Sequence, residues 1–431
     1  MLRYRRGTLS SEVEEDVPMA HDQAGYKQLF TIPNYVLVWI GQTTANFGDS
    51  LYQIAFFWLA YKMTNSSFVA GLVVLATSAP YIFFGLLGGA YADRWDRKRV
   101  MVYGDIIRLV SLLTVPFFYW LDLLHVWNLS ITAFVLSTVR CFFFPAMRAS
   151  LTSFMPKELW SAGNSFMQAS FQLMRAIGPM IGGVLIAQTS AIFIYLITAA
   201  SYVVSILALL PTKIPPIEKK NVHVSVFRDI YDTYLFVKTV RPLFWSIFFF
   251  GVGLCLIVGL DRLGLPILSD QVWDMGSKGY GIILSAFAVG NLLMTLLLGK
   301  VQIKKFARVI FSGWALWGVF YFLIGSTDMF VLAVGFAFLA GAAESLIDMP
   351  QILLVQNSVP NDRLGKVFSM QSTTAFIGES GSSLLAGALI GWLGAADSYK
   401  VAGVGLILCG VVGLWLTRTA HRVPSSVSTQ G

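Results

Sequence analysis

Apolar stretches of membrane-spanning length, parted by short polar turns, fill this chain from Tyr35 to Thr417. Crossing about 30 Å of hydrocarbon takes roughly 20 apolar residues in a helix. Twelve runs meet that length, at 35–61, 66–92, 100–121, 127–147, 161–188, 190–211, 242–266, 279–299, 307–326, 329–356, 365–393 and 398–417. In lipid each backbone N–H and C=O must be satisfied within its own segment, so the pattern predicts helices. The strict alternation of a lipid-exposed barrel strand is missing. The expected fold class is an all-α integral membrane protein with twelve transmembrane helices.

One long polar interruption, Pro211 to Pro242, divides the runs six and six. It includes an amphipathic stretch from Val224 to Lys238 that predicts a helix. The expected organisation is a cytoplasmic tail (1–34), a six-helix bundle (35–211), a cytoplasmic linker (212–241), a second bundle (242–418) and a cytoplasmic tail (419–431). An internal repeat supports the division. Pro156-Lys157-Glu158 recurs as Pro360-Asn361-Asp362, 204 residues later, and Gly183-Val184-Leu185-Ile186 recurs as Gly387-Ala388-Leu389-Ile390 at the same offset. Repeats with a site at their interface are a feature of secondary transporters.

Composition agrees: 56% of the 431 residues are hydrophobic and 13% charged, with a mean hydropathy of +0.68. Charge placement adds orientation. With the N-terminus cytoplasmic, the inner loops and both tails hold 24 of the 31 Lys and Arg residues. The outer loops then hold Lys62, Lys278, Lys400 and Arg262, while Arg108, Arg140 and Arg175 fall inside segments. Both termini are therefore expected inside. The net charge of +8 is spread over membrane-flanking loops, which gives no nucleic-acid surface. Cys141, Cys255 and Cys409 are scattered through the helices, so neither a disulfide framework nor a metal site is expected. With no P-loop and no convincing catalytic histidine, the chain reads as neither an ATP-driven pump nor an enzyme, and no cofactor is expected.

The sharpest motif is the charged turn Gly88-Gly89-Ala90-Tyr91-Ala92-Asp93-Arg94-Trp95-Asp96-Arg97-Lys98-Arg99 between the second and third runs. Others follow in order: Gly41-Gln42 and Gly48-Asp49, Gly104-Asp105-Ile106-Ile107-Arg108, Phe144-Pro145-Ala146-Met147-Arg148-Ala149, Asn164-Ser165, Gly178-Pro179-Met180-Ile181-Gly182-Gly183, and Gln356-Asn357-Ser358-Val359-Pro360 leading to Gly365-Lys366-Val367-Phe368-Ser369. Together, from about Phe30 to Arg418, they resemble the drug-exporter branch of the major facilitator superfamily, which includes macrolide efflux pumps and the enterobactin exporter. The resemblance implies two pseudo-symmetric six-helix bundles, with helices 1, 4, 7 and 10 lining a central cavity. It implies export of a hydrophobic or amphipathic small molecule by proton antiport and alternating access, by a monomer in the bacterial inner membrane. It also implies a cytoplasmic gate at Gly89, Asp93, Arg94 and Arg97, with Asp93 against the positive end of the eleventh helix near Asn361 or Asp362. Gly178, Pro179, Gly182 and Gly183 match an antiporter signature, except that Met174 stands where the family version begins with glycine. Small residues let helices approach closely, so plain packing is the alternative.

Ionisable groups within the membrane are costly and point to function first. Asp49, Glu344, Asp348 and Glu379 are the proton-coupling candidates, because a desolvated carboxylate holds its proton more tightly. Arg140 and Arg175 are the cavity cations. Arg140 and Glu344 are 204 residues apart, as are Arg175 and Glu379, and Arg140 is expected to face Glu344 across the cavity. Glu344 and Asp348, at i,i+4, share a helix face. Asp105 and Arg108 read as a structural ion pair, and Asp261 and Arg262 as interfacial. Phe56, Phe57 and Trp58 either bind cargo or pack. Two other functions stay open: a dedicated exporter of one metabolite, siderophore or lipid, and a non-transporting membrane sensor or scaffold.

Overall fold

A computed structural model describes residues 27–64, 66–92, 95–156, 159–214, 226–299, 301, 303–360 and 363–418. Residues 1–26 of the expected N-terminal tail (1–34), the expected C-terminal tail (419–431) and linker residues 215–225 lie outside them. The described residues form helices α1 (Pro33–Met63), α2 (Ser67–Leu75), α3 (Ala79–Ala92), α4 (Arg97–Trp120), α5 (Val126–Phe154), α6 (Trp160–Gln188), α7 (Ala191–Leu209), α8 (Val226–Thr239), α9 (Arg241–Ile267), α10 (Gly276–Leu298), α11 (Phe306–Ile324), α12 (Phe330–Ser358), α13 (Leu364–Leu393) and α14 (Ala395–Thr417). Described strands are absent.

Among the described residues, eleven helical spans are long and apolar enough to cross a membrane by length and composition, with α2 and the start of α3 counted as one, Ser67–Gly85. The first expected span, α1, is not among them although it runs 31 residues. Gln42, Thr43, Thr44, Asn46, Asp49 and Gln53 punctuate it, and it spans the bundle against α6 and α7 rather than against lipid alone. The second expected span is broken into α2 and α3. Pro80 cannot donate a backbone bond there, and Ser137 Oγ donates to the Thr77 carbonyl at 2.7 Å. The predicted amphipathic helix is α8, packed against α9 and α13. Local caps are visible in the sequence: Asp96 accepts from the Arg99 amide at the start of α4, and Ser190 from Phe193 at the start of α7.

The repeat is structural. Both ends of α12 fall 204 residues after those of α5, and α13 and α14 begin 204 residues after α6 and α7. Within the first half, α1 packs on α7, α4 on α5 and α7, and α3 on α5; in the second, α9 packs on α13, α11 on α14, and α10 on α12. Between halves, α6 packs on α10 and α2 on α13. Both contacts need glycine. A Cβ on Gly183 would lie 2.5 Å from the Ser277 carbonyl oxygen, one on Gly281 2.4 Å from that of Pro179, and one on Gly71 2.6 Å from that of Ser383. These contacts gather at the end of the bundle away from Pro33, where α1 begins, and Thr417, where α14 ends. There Lys62 Nζ also lies 2.6 Å from Asp270 Oδ2, joining α1 to the π-helical turn Leu268–Val272 after α9.

Candidate functional site

Two cavities lie inside the bundle. The smaller, about 240 Å³, is lined by Asp49, Tyr81, Arg108, Arg140 and Tyr202 from the first half. The larger, about 410 Å³, is lined by Arg175 of α6 and by Asp261, Asn291, Glu344, Asp348 and Tyr399 of the second half. Gln53, Phe57, Arg262 and Glu379 line both. The wall between them thus includes an ion pair, Arg262 Nη2 to Glu379 Oε2 at 2.9 Å. Arg262 also reaches Thr77 Oγ1 at 3.4 Å and stacks over Phe57, 5.7 Å from the ring centre, so it touches both halves.

Asp49 accepts a short hydrogen bond from the Tyr202 hydroxyl. Arg108 lies 3.3 Å from Asp105, with both side chains at most 5% exposed, and Ser205 Oγ donates to Asp105 at 2.6 Å. Arg108 also stacks over Phe143 at 4.3 Å. A charge at that depth stands only with its partner and hydrogen bonds in place. The Asp105–Arg108–Ser205 cluster thereby ties α4 to α7 behind the smaller cavity.

Arg140 and Glu344 do not face one another, contrary to the expectation from their repeat-related positions. Arg140 lines the smaller cavity beside Asp49 and Tyr81, and Glu344 the larger. α12 packs on α10, so Glu344 accepts from Asn291 Nδ2 at 2.7 Å. Arg175 of the first half lines the same cavity as Glu344 and Asp348. Glu379 is committed to Arg262. Asp261 and Arg262 are not interfacial. Asp261 accepts from the Tyr321 hydroxyl on both oxygens at 2.7 Å and from Tyr399 at 3.1 Å, because α11 and α14 both close around α9.

In the glycine-proline segment, Pro179 lies within α6. A Cβ on Gly178 would come 2.4 Å from Ser50 Cβ, and one on Gly182 3.4 Å from Leu51, so these two face α1 while Gly183 faces α10. Of the gate residues, Gly89 belongs to α3 and Arg97 opens α4. Asp93 and Arg94, like Asn361 and Asp362, lie outside the described residues. Phe56 is fully buried, and Phe57 lines both cavities. Trp58 stacks near Tyr61 and under Lys62, outside the cavities. Sequence reasoning missed the Arg262–Glu379 and Lys62–Asp270 pairs and the tyrosines on Asp261. The available signal was Asp261-Arg262 itself, two charges inside an otherwise apolar run.

Residues 28–308 match the family described as Transmembrane secretion effector, and residues 262–431 match the Major Facilitator Superfamily. The chain is 24% identical over 400 residues to the multidrug efflux pump Tap of Mycolicibacterium fortuitum, covering 89% of this chain and 95% of that one. It is 26% identical over 391 residues to the enterobactin exporter EntS of Escherichia coli O6:K15:H31, covering 86% and 89%. Among solved structures, a bacterial homologue of the iron transporter ferroportin in its inward-facing state matches at TM-score 0.68 and 16% identity, over 91% of this chain and 99% of that chain. The POT family transporter PepTSo matches at TM-score 0.71 and 12% identity, over 90% and 98%.

Proposed function

This chain belongs to the Transmembrane secretion effector family within the Major Facilitator Superfamily, and from that premise we propose that it exports a hydrophobic or amphipathic small molecule by proton antiport. One observation carries the coupling: Glu344 and Asp348 stand one turn apart in the larger cavity, which Arg175 of the first half also lines. A carboxylate in a cavity that also holds a cation from the opposite half changes its electrostatic surroundings whenever the halves move. Proton and cargo then bind in linked states, and linkage is reciprocal.

The positive-inside pattern supports a multi-pass protein of a bacterial inner membrane with both termini on the cytoplasmic side. On that orientation the close contacts at Gly183–Gly281, Gly71–Ser383 and Lys62–Asp270 shut the outer side, and Asp93 and Arg97 latch the inner side after the halves rock. The working unit is a monomer of two bundles, 35–211 and 242–418. Flux in proteoliposomes under an imposed pH gradient, screened over a compound panel, tests the reading. Uphill efflux that stops with a protonophore supports it; efflux driven by sodium instead refutes proton coupling. A dedicated exporter is the second reading, favoured by 26% identity to the enterobactin exporter EntS beside 24% to the multidrug efflux pump Tap, and a narrow substrate profile would select it.

A further inference from the structure

The charged groups around the smaller cavity, about 240 Å³, are paired or bonded with one exception. Arg108 is held by Asp105, Arg262 by Glu379, and Asp49 accepts from the Tyr202 hydroxyl. Arg140 lines the same space and makes no hydrogen bond, ion pair or ring contact among the described residues. It stands within the apolar span Val126–Arg148, where a charge is costly until something pairs with it. Asp49 forms no ion pair with it. The Tyr52 hydroxyl, on α1, faces this cavity too. It is buried, in a residue only 8% exposed, and has no hydrogen-bond partner among the described residues. Two donors from two helices thus line one space with their hydrogen-bonding capacity unused. Much of the remaining wall is aromatic. Phe57 contributes from α1, while Tyr81 of α3 and Phe376 of α13 meet there from opposite halves, their rings stacked at 4.4 Å and 10°. A guanidinium presents a planar fork that fits a carboxylate through two parallel hydrogen bonds. A phenol hydroxyl donates to the same kind of acceptor. Ring faces beside such donors take up an aromatic body.

We propose that the smaller cavity binds an aromatic carboxylate, with its anionic head on Arg140 and the Tyr52 hydroxyl and its ring against Phe57, Tyr81 and Phe376. An organic cation adds a further positive charge beside Arg140 and leaves both donors unmet. An uncharged hydrocarbon leaves the guanidinium unpaired within the span. Each is disfavoured for that reason. This assignment names a cargo class for the exporter reading and rests on it.

The test compares two probes with one ring system and opposite charge, naphthoate and naphthylmethylammonium. Binding to the purified full chain is measured by equilibrium dialysis, against empty detergent micelles. The expected result is saturable binding of the naphthoate and none of the ammonium. Saturable ammonium binding of equal or greater strength overturns the assignment, as does saturable binding of neither. Arg140→Gln, checked for monodispersity and unchanged helicity, is expected to weaken naphthoate binding by about tenfold; unchanged affinity in the folded variant overturns the role of Arg140. Tyr52→Phe keeps the ring and removes only the donor, so it decides the matter where Arg140→Gln does not fold. It is expected to weaken naphthoate binding by about threefold, and unchanged affinity there overturns the placement of the carboxylate. Flux separates the two readings. Naphthoate binding without any transport under a pH gradient keeps the anion site and defeats the exporter, whereas coupled efflux of other compounds without naphthoate binding does the reverse.

Discussion

Arg262 and Glu379 form a 2.9 Å ion pair in the wall between the two cavities while Arg262 reaches across to Thr77 of the first half. Both side chains are about three-quarters buried, at 22% and 26% exposure. Glu379→Gln leaves the guanidinium facing a neutral amide and is expected to destabilise the folded protein by about 1–3 kcal/mol. Making Arg262→Gln as well removes the unpaired charge and should recover part of that loss. Unfolding midpoints of the two singles and the double in detergent measure it; a Glu379→Gln midpoint equal to wild type defeats the structural role.

Gly183 admits α10 within backbone contact, since any Cβ meets the Ser277 carbonyl oxygen at 2.5 Å. Gly183→Val should prop α6 and α10 apart, at about 1–3 kcal/mol, the scale of overpacking. Spin labels on the ends of these helices away from the termini should report a longer mean distance, with transport impaired. Unaltered distances contradict the close-packing account.

The Lys62–Asp270 pair is partly exposed, with side chains at 45% and 25%. An exposed pair is worth about 0.2–1 kcal/mol, so Asp270→Asn should shift the closed population only modestly, and less at high salt. The charge swap Lys62→Asp with Asp270→Lys should restore the wild-type distance distribution. A swap no better than the single change excludes a latch.

Asp93 follows α3, and its proposed partner is the start of α13. Asp93→Asn keeps the shape and removes the charge, so expression and fold should survive while transport falls. The conformational balance should move toward inward-open by about 1 kcal/mol, the scale of one charge at a helix end. Label distances between the ends of α3 and α13 near the termini read this directly, and no change in either distance or transport ends the gate reading.

Glu344→Gln is expected to abolish pH-driven efflux while sparing downhill exchange of cargo. A permanent structural role predicts something different: lower stability or expression with coupling intact. Full pH-driven transport in the variant rules out the proton role.

The sequence by itself determined the membrane-spanning helical class, the amphipathic α8, the 204-residue repeat and the close-packing glycines. Each of these depends on local spacing: run length against bilayer thickness, or a small residue on a helix face. It also located nearly all the intramembrane charges. The partners of those charges were decided by the tertiary structure. Arg262 and Glu379 stand 117 residues apart, and no period in the chain links them. Their meeting depends on how far α9 and α13 rotate about their own axes when they pack. The repeat relation placed Arg140 opposite Glu344, but packing of α12 on α10 turned Glu344 to Asn291 instead. The break between α2 and α3 was likewise settled by packing, because Ser137 on α5 supplies the donor that Thr77 needs there. Helix identity follows from hydrophobic period, whereas charge pairing inside a bundle follows from helix rotation and distance, which that period leaves free.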